Sequence, residues 1–326
     1  MTEITVIGAG VVGLCATTEL VARGVRVRLV DRGGAPGAHG CSWWAGGMLA
    51  PFCEGESAEE PVIRLGQEAA GWWETHAGGV TCNGSLVVAL DRDRDELARF
   101  ARRTERHQAL GAEQVAALEP DLESRVRQAL FFPDEAHLDP RRALGALAAK
   151  LRERGIEIER ATVRPEGTTI DCRGLAARDV LSDLRGVKGE MVVLRCPDVR
   201  LTRPVRLLHP RLPLYIVPRG DGVYMLGATV IEASERGRVT ARALLELLSA
   251  AYALHPAFAE AEIVEIGADA RPAFPDNLPR IRRRGAVIYV NGLYRHGFLL
   301  APALARRVAD LVLEGQRPEM MDEDHA

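Results

Sequence analysis

Glu3-Ile4-Thr5-Val6-Ile7 runs straight into Gly8-Ala9-Gly10-Val11-Val12-Gly13, and the continuation through Leu14, Thr17, Leu20 and Val21 is apolar at helical spacing. The segment predicts a short buried strand, a tight glycine turn and a helix. The three glycines serve different ends. Gly8 permits the sharp turn, Gly10 lets main chain approach a pyrophosphate, and Gly13 allows close packing of helix on strand. The N-terminus of the helix offers free N–H groups to phosphate oxygens. Gly24 ends the helix, and residues 25–30 alternate into a second strand that stops at Asp31, eighteen positions after Gly13. An acid there accepts ribose hydroxyls, so the whole strand, turn, helix and acid points to a dinucleotide.

The next stretch narrows the choice of dinucleotide. Arg32-Gly33-Gly34-Ala35-Pro36-Gly37 is a second loop, followed by Gly40-Cys41-Ser42-Trp43-Trp44-Ala45-Gly46-Gly47-Met48-Leu49-Ala50-Pro51. The clustered Gly, Ala and Ser let main chain lie against a flat ligand and offer N–H groups to ring heteroatoms. An isoalloxazine suits that surface better than a nicotinamide.

Composition removes other classes. With 326 residues, 42 Lys+Arg against 45 Asp+Glu and a net charge of −3, there is no electrostatic case for a nucleic-acid partner. A hydrophobic content of 47% is ample for the core of about two domains. No run of about 18 apolar residues and no export-type amino terminus occurs, so no membrane partner and a cytoplasmic location are expected. The six cysteines show no Cys-x-x-Cys pair and no histidines at zinc spacing, so free thiols, no metal and no disulfide are expected. Cys41, in a glycine-rich loop, is the candidate for an exposed thiol.

Three further segments carry a likeness. They are Tyr215-Ile216-Val217-Pro218-Arg219 running to Gly227-Ala228-Thr229, then Ala270-Arg271-Pro272 with Pro275-Asp276 and Pro279, and last Gly292-Leu293-Tyr294-Arg295-His296-Gly297-Phe298-Leu299-Leu300-Ala301-Pro302. In this order after the amino-terminal motif, the chain resembles the FAD-dependent D-amino-acid oxidase family, and within it the glycine oxidases associated with thiamine biosynthesis. The resemblance implies an α/β fold in which a Rossmann-like FAD-binding domain (1–80, 137–186 and 264–326) is interleaved with an antiparallel-sheet α+β substrate domain (81–136 and 187–263).

The residue pattern itself predicts helices over 61–74, 93–108, 112–118, 141–154, 240–254 and 299–314, with strands over 85–90, 156–158, 169–171 and 287–290. The Arg282-Arg283-Arg284 run reads as a solvated turn, and the acidic tail after Pro318 as a frayed end.

An amino-acid oxidase must hold a carboxylate, for which a bidentate guanidinium is the natural anchor. The resemblance gives that role to Arg271, places Arg295 beside flavin and substrate, and sends the Tyr215 hydroxyl to the same carboxylate; Tyr294 would close the pocket. It assigns FAD contacts to Gly8, Ala9, Gly10, Val11, Val12, Gly13, Asp31 and Arg32, to Ser42, Gly46, Gly47, Met48 and Leu49, to Val163, Cys172 and Gly174, and to Arg295, His296, Gly297, Phe298 and Leu299. Leu299, Leu300 and Ala301 would present a helix N-terminus to the reduced flavin, with Pro302 in the first turn.

A loop-shaping role is expected of His296, with proton transfer as the alternative. The reaction implied is oxidative deamination of glycine or another small amino acid. Hydride passes from Cα to flavin N5, giving imine or 2-oxo acid, ammonia and, with dioxygen as acceptor, hydrogen peroxide. In the thiamine branch the glycine imine feeds the thiazole ring. Val230, where some glycine oxidases carry Met, would reshape the pocket. The alternatives are a sarcosine, D-amino-acid or cyclic imino-acid oxidase or dehydrogenase, and a non-enzymatic FAD-binding protein. Homo-oligomerisation is left open.

Overall fold

The structure, a computed structural model, describes residues 3–165, 167–209 and 213–323. Two sheets border one cavity. The first has seven strands in the order Met321–Glu323, Arg280–Arg284, Val287–Asn291, Thr169–Asp171, Ile4–Ile7, Val27–Asp31 and Ile158–Arg160. All neighbours are parallel except the hairpin Arg280–Arg284/Val287–Asn291. Ile4–Ile7 is an interior strand, with Thr169–Asp171 on one side and Val27–Asp31 on the other. Ligands of such sheets settle where the chain switches sides, beyond the carboxyl ends of the strands.

Helix Val11–Ala22 follows strand Ile4–Ile7 and is buried on nearly every side, wedged between the sheet and the last helix, Gly297–Glu314. This explains why its apolar pattern is continuous rather than one-faced. The first core cluster joins Val6, Leu14, Leu29, Ile170, Leu300 and Leu304.

The second sheet has nine strands: Ile231–Glu232, Arg185–Arg195, Val223–Gly227, Leu214–Gly220, Val205–Leu208, Ser85–Ala89, Gln128–Phe132 and Gln108–Gly111, with Glu262–Ala273 paired along Arg185–Arg195. All pairs are antiparallel except Val205–Leu208 with Ser85–Ala89. Helix Ala241–Leu254, capped by Thr240, closes its outer face, packing Leu247 into the cluster of Val192 and Leu226. The expected boundaries at 186/187 and 263/264 fall inside two paired strands, Arg185–Arg195 and Glu262–Ala273.

Several expectations need correction. The helix expected over 61–74 is two, Glu60–Gly66 and Ala69–His76, and that over 93–108 stops at Arg103, with Gln108 opening a strand. The arginine run is no turn: Arg282, nearly buried, donates to Asp183 (2.9 Å) and to Asp322 (2.7 Å). That pairing recruits the tail, since Met321–Glu323 adds a parallel edge strand; residues 324–326 lie outside the described residues.

Candidate active site

The amino-terminal turn forms the cavity floor. Gly8 has φ +104°, and a Cβ there would stand 2.5 Å from the carbonyl oxygen of Cys172. Asp31 accepts the N–H of Ala9 through Oδ2 (2.8 Å) and that of Gly33 through Oδ1 (2.7 Å), fixing the carboxylate at the cavity edge. A carboxylate has about four lone-pair sites, so both oxygens retain capacity for ligand hydroxyls. The first helix opens toward the cavity; its Val11 N–H is held by Ser42 Oγ (3.1 Å) and its Leu14 N–H by Gly10 O (3.0 Å).

The inner face of the nine-stranded sheet is the cavity roof. Arg206, Tyr215, Gly227, Met191 and Gly267 stand in register across five strands, and every second residue along a strand shares that face. Glycines there act as slots. A Cβ at Gly189 would lie 2.1 Å from Arg271 Nη2, one at Gly227 2.8 Å from the Tyr215 hydroxyl, and one at Gly267 2.2 Å from the Trp44 ring. Tyr215 is covered on its other side by Gly46, where a Cβ would stand 2.8 Å from the ring.

Arg271 is half-buried and its Nη1 donates to the Thr229 carbonyl at 3.3 Å; among the described residues no carboxylate pairs with it. The nearby Arg236 is different, paired with Asp269 and donating to His39 O (2.7 Å). Arg219 also differs, donating to Leu138 O (2.9 Å) and Gly46 O (2.8 Å). Burial pushes its guanidinium down to about 10. It locks the Ala45–Gly46 backbone to the roof.

A second charged cluster lines the same cavity. Glu54 bridges Arg206 Nη2 through Oε1 (2.7 Å) and Arg295 Nη2 through Oε2 (2.7 Å), and its Oε2 lies 2.8 Å from His296 Nε2. Burial alone would raise this carboxyl, but Arg295, Arg206 and the His296 hydrogen bond together outweigh it and hold it well below the usual carboxylate range. Because an ionised Glu54 only accepts, Nε2 of His296 is the donor. Burial also lowers the His296 ring from its ordinary value, which keeps it neutral at pH 7. Arg295, which donates further to Ser57 Oγ (2.7 Å), thus shares its carboxylate with Arg206.

The last helix begins at Gly297, two residues before the expected start, and Leu300 N–H closes the first intrahelical bond with His296 O (2.8 Å). The groups free at the cavity are therefore those of Gly297, Phe298 and Leu299, not Leu300 and Ala301. Pro302 falls in the second turn. Its missing N–H releases the carbonyl four residues back, Phe298 O, which Trp73 Nε1 takes at 2.8 Å.

Arg271, Tyr215 and Arg295 all line this one cavity, as do Gly8, Ala9, Gly10, Val11, Val12, Asp31, Arg32, Ser42, Gly46, Gly47, Met48, Cys172, Gly174, His296, Gly297, Phe298 and Leu299. Gly13, Leu49 and Val163 are not on its wall. Gly13 instead meets Gly8, where a Cβ would stand 1.7 Å from the carbonyl oxygen, the close packing expected of it. Tyr294 (φ +51°) and Val230, 55% exposed, are at the wall as well. Cys41 is not an exposed thiol: burial, then Asp269, push it up to about 11. All six cysteines are free. Among the described residues no helix is long and apolar enough to cross a membrane, and no group of three metal-ligating side chains is gathered.

Glu54, Arg206, Asp269 and the slot glycines Gly189 and Gly267 were not found by reading the sequence. The one available signal was Arg206, a charge between Val205 and Leu207 in an otherwise apolar strand.

Residues 3–311 match the family of FAD-dependent oxidoreductases designated DAO, and the chain belongs to that family, with FAD as its cofactor. Within it, the chain is 54% identical over 323 residues to a Rhizobium etli protein assigned the name thiamine biosynthesis oxidoreductase ThiO, covering 97% of this chain and 98% of the other. It is 27% identical to a glycine oxidase of Pseudomonas aeruginosa, over 97% and 96% of the two chains. The crystal structure of glycine oxidase from Geobacillus kaustophilus superposes with a TM-score of 0.83 at 25% identity, over 98% of this chain and 97% of that one.

The residues fit FAD. Gly8 and Gly10 leave the floor without side chains, Asp31 stands where ribose hydroxyls need an acceptor, and two helix N-termini open on the cavity.

Proposed function

We propose that this protein oxidises glycine or another small amino acid at its Cα–N bond, with Arg271 as the carboxylate anchor. The observation that carries this reading is the Arg271 guanidinium: it lines the cavity with one long carbonyl contact and no carboxylate partner among the described residues, whereas Arg206 and Arg295 share the Glu54 carboxylate. A half-buried cation so placed favours an anionic ligand group, and its remaining N–H edge matches a carboxylate bidentately. Tyr215, wedged between Gly46 and Gly227, adds a hydroxyl from the same roof.

When bound, FAD supplies the two-electron acceptor; the imine formed hydrolyses to 2-oxo acid and ammonia, and dioxygen takes up the electrons as hydrogen peroxide. No side chain on the described wall is set up as a strong base: Glu54 is held ionised but fully engaged, and His296 is neutral with its Nε2–H donated to Glu54. The chain's contribution is alignment and charge placement. The similarity to the Rhizobium etli protein supports a place in thiamine biosynthesis, with the glycine imine feeding the thiazole ring.

Anaerobic mixing with glycine, sarcosine, D-alanine and D-proline, followed by flavin absorbance, tests this. Glycine should bleach the flavin fastest, and Arg271→Met should lower kcat/KM by at least about a hundredfold. A flavin bleached by none of the four, or an Arg271→Met enzyme as active as the parent, would overturn it.

A further inference from the structure

The nine-stranded sheet carries a second polar layer on the side away from the cavity, and that layer reaches the carboxylate anchor through one residue. Gly189 faces the cavity under Arg271, so its neighbour Glu190 points to the opposite face, where it is fully buried. Glu190 and Thr229 are joined three times. The N–H of Glu190 donates to Thr229 Oγ1 (2.9 Å), the Thr229 hydroxyl donates to Glu190 Oε2 (3.2 Å), and the Thr229 N–H donates to the Glu190 carbonyl (3.3 Å). The Thr229 carbonyl then accepts from Arg271 Nη1.

Glu190 is itself fixed from behind. Its Oε1 accepts from Thr240 N–H (2.8 Å), the cap of helix Ala241–Leu254, and lies 3.3 Å from Lys188 Nζ, which is also 2.9 Å from Glu235 Oε2. A buried ion pair of this kind gives little net stability over apolar side chains of the same size, but it holds its members in one geometry.

We infer that Glu190 and Thr229 are positioning residues for Arg271, setting the plane and reach of the guanidinium that grips the substrate carboxylate. The inference rests on the anchoring role proposed above. An arginine side chain has several free torsions, and of its five N–H donors one is engaged by the Thr229 carbonyl. That contact selects the rotamer over the Gly189 slot and leaves the rest of the fork for the ligand. Its accuracy depends on where residue 229 sits, and Glu190 determines that.

The test uses the FAD-loaded enzyme and acetate as an unreactive carboxylate, with binding read from the perturbed flavin spectrum. Thr229→Val and Glu190→Gln should each weaken acetate about tenfold and raise KM for glycine by a similar factor, while the limiting rate of flavin reduction stays within about threefold. Thr229→Ser, which keeps the hydroxyl, should stay within about twofold of the parent. Adding Thr229→Val to Arg271→Met should change acetate binding no further, because a residue acting through Arg271 has nothing left to act on.

Parent-like acetate binding in both Thr229→Val and Glu190→Gln, or an additive loss in the double variant, would overturn the inference. Glu190→Gln preserves shape and carries the test alone should Thr229→Val fail to retain FAD. Arg271→Met binding acetate like the parent would instead sink the anchoring role itself, so the two failures are distinguishable.

Discussion

The glycines of the amino-terminal turn and those of the antiparallel roof both shape the cofactor cavity, but a methyl group added to each would strike different matter. At Gly8 and Gly13 it meets main chain, the Cys172 and Gly8 carbonyl oxygens at 2.5 and 1.7 Å. At Gly189, Gly227 and Gly267 it meets side chains, those of Arg271, Tyr215 and Trp44. The floor uses glycine so that backbone can approach backbone and ligand; the roof uses it so that large functional side chains can lie flat along a sheet. The first demand is rigid and bears on the fold. The second bears mainly on where a side chain points.

The comparison can be broken most directly at Gly13. Gly13→Ala forces the first helix away from its strand and should cost about 3 kcal/mol or more. The protein should lose FAD on gel filtration and melt well below the parent; a variant that keeps yellow colour and melting temperature would show that the floor can give. At Gly189 the obstacle is the far end of a flexible side chain. Gly189→Ala should therefore fold and bind FAD normally yet weaken acetate about tenfold, as one displaced charge-assisted hydrogen bond does. Unchanged affinity there would mean that Arg271 has a second productive position. The smallest effect is expected at Gly145, exposed in helix Pro140–Glu153 with nothing within 4 Å of a Cβ. Gly145→Ala should stabilise by about 0.5–1 kcal/mol with no change in ligand binding, seen as a modest rise in melting temperature.

The same contrast explains what could be read from the sequence. The floor is a local device, so strand, turn, helix and Asp31 were legible within thirty residues, and the structure places them as expected. The roof is assembled across strands. Gly189 has meaning only because Arg271, far along the chain, crosses it, and Glu54 only because Arg206 and Arg295 converge on it. No spacing rule marks such residues. Local pattern also failed where tertiary pairing prevailed: Asp183 and Asp322 turned an arginine run into a strand, and an indole donor let Pro302 sit deeper in its helix than a first-turn rule allows. Arg271, Tyr215 and Arg295 were reached through family likeness, not through anything their neighbours in sequence dictate.

Trp73, which takes up the carbonyl left over by Pro302, stacks on Phe298 with ring centroids 5.3 Å apart, and Phe298 is part of the cavity wall. Trp43 and Trp44 line the same wall, and Trp72 adjoins Trp73, so two of the four indoles border the cavity and the other two lie behind Phe298. Their emission overlaps the absorption of an oxidised flavin, and energy transfer over such short separations quenches it. The protein thus carries an intrinsic gauge of cofactor loading: its ultraviolet fluorescence should dim as FAD fills the cavity and recover as it leaves, with no label attached.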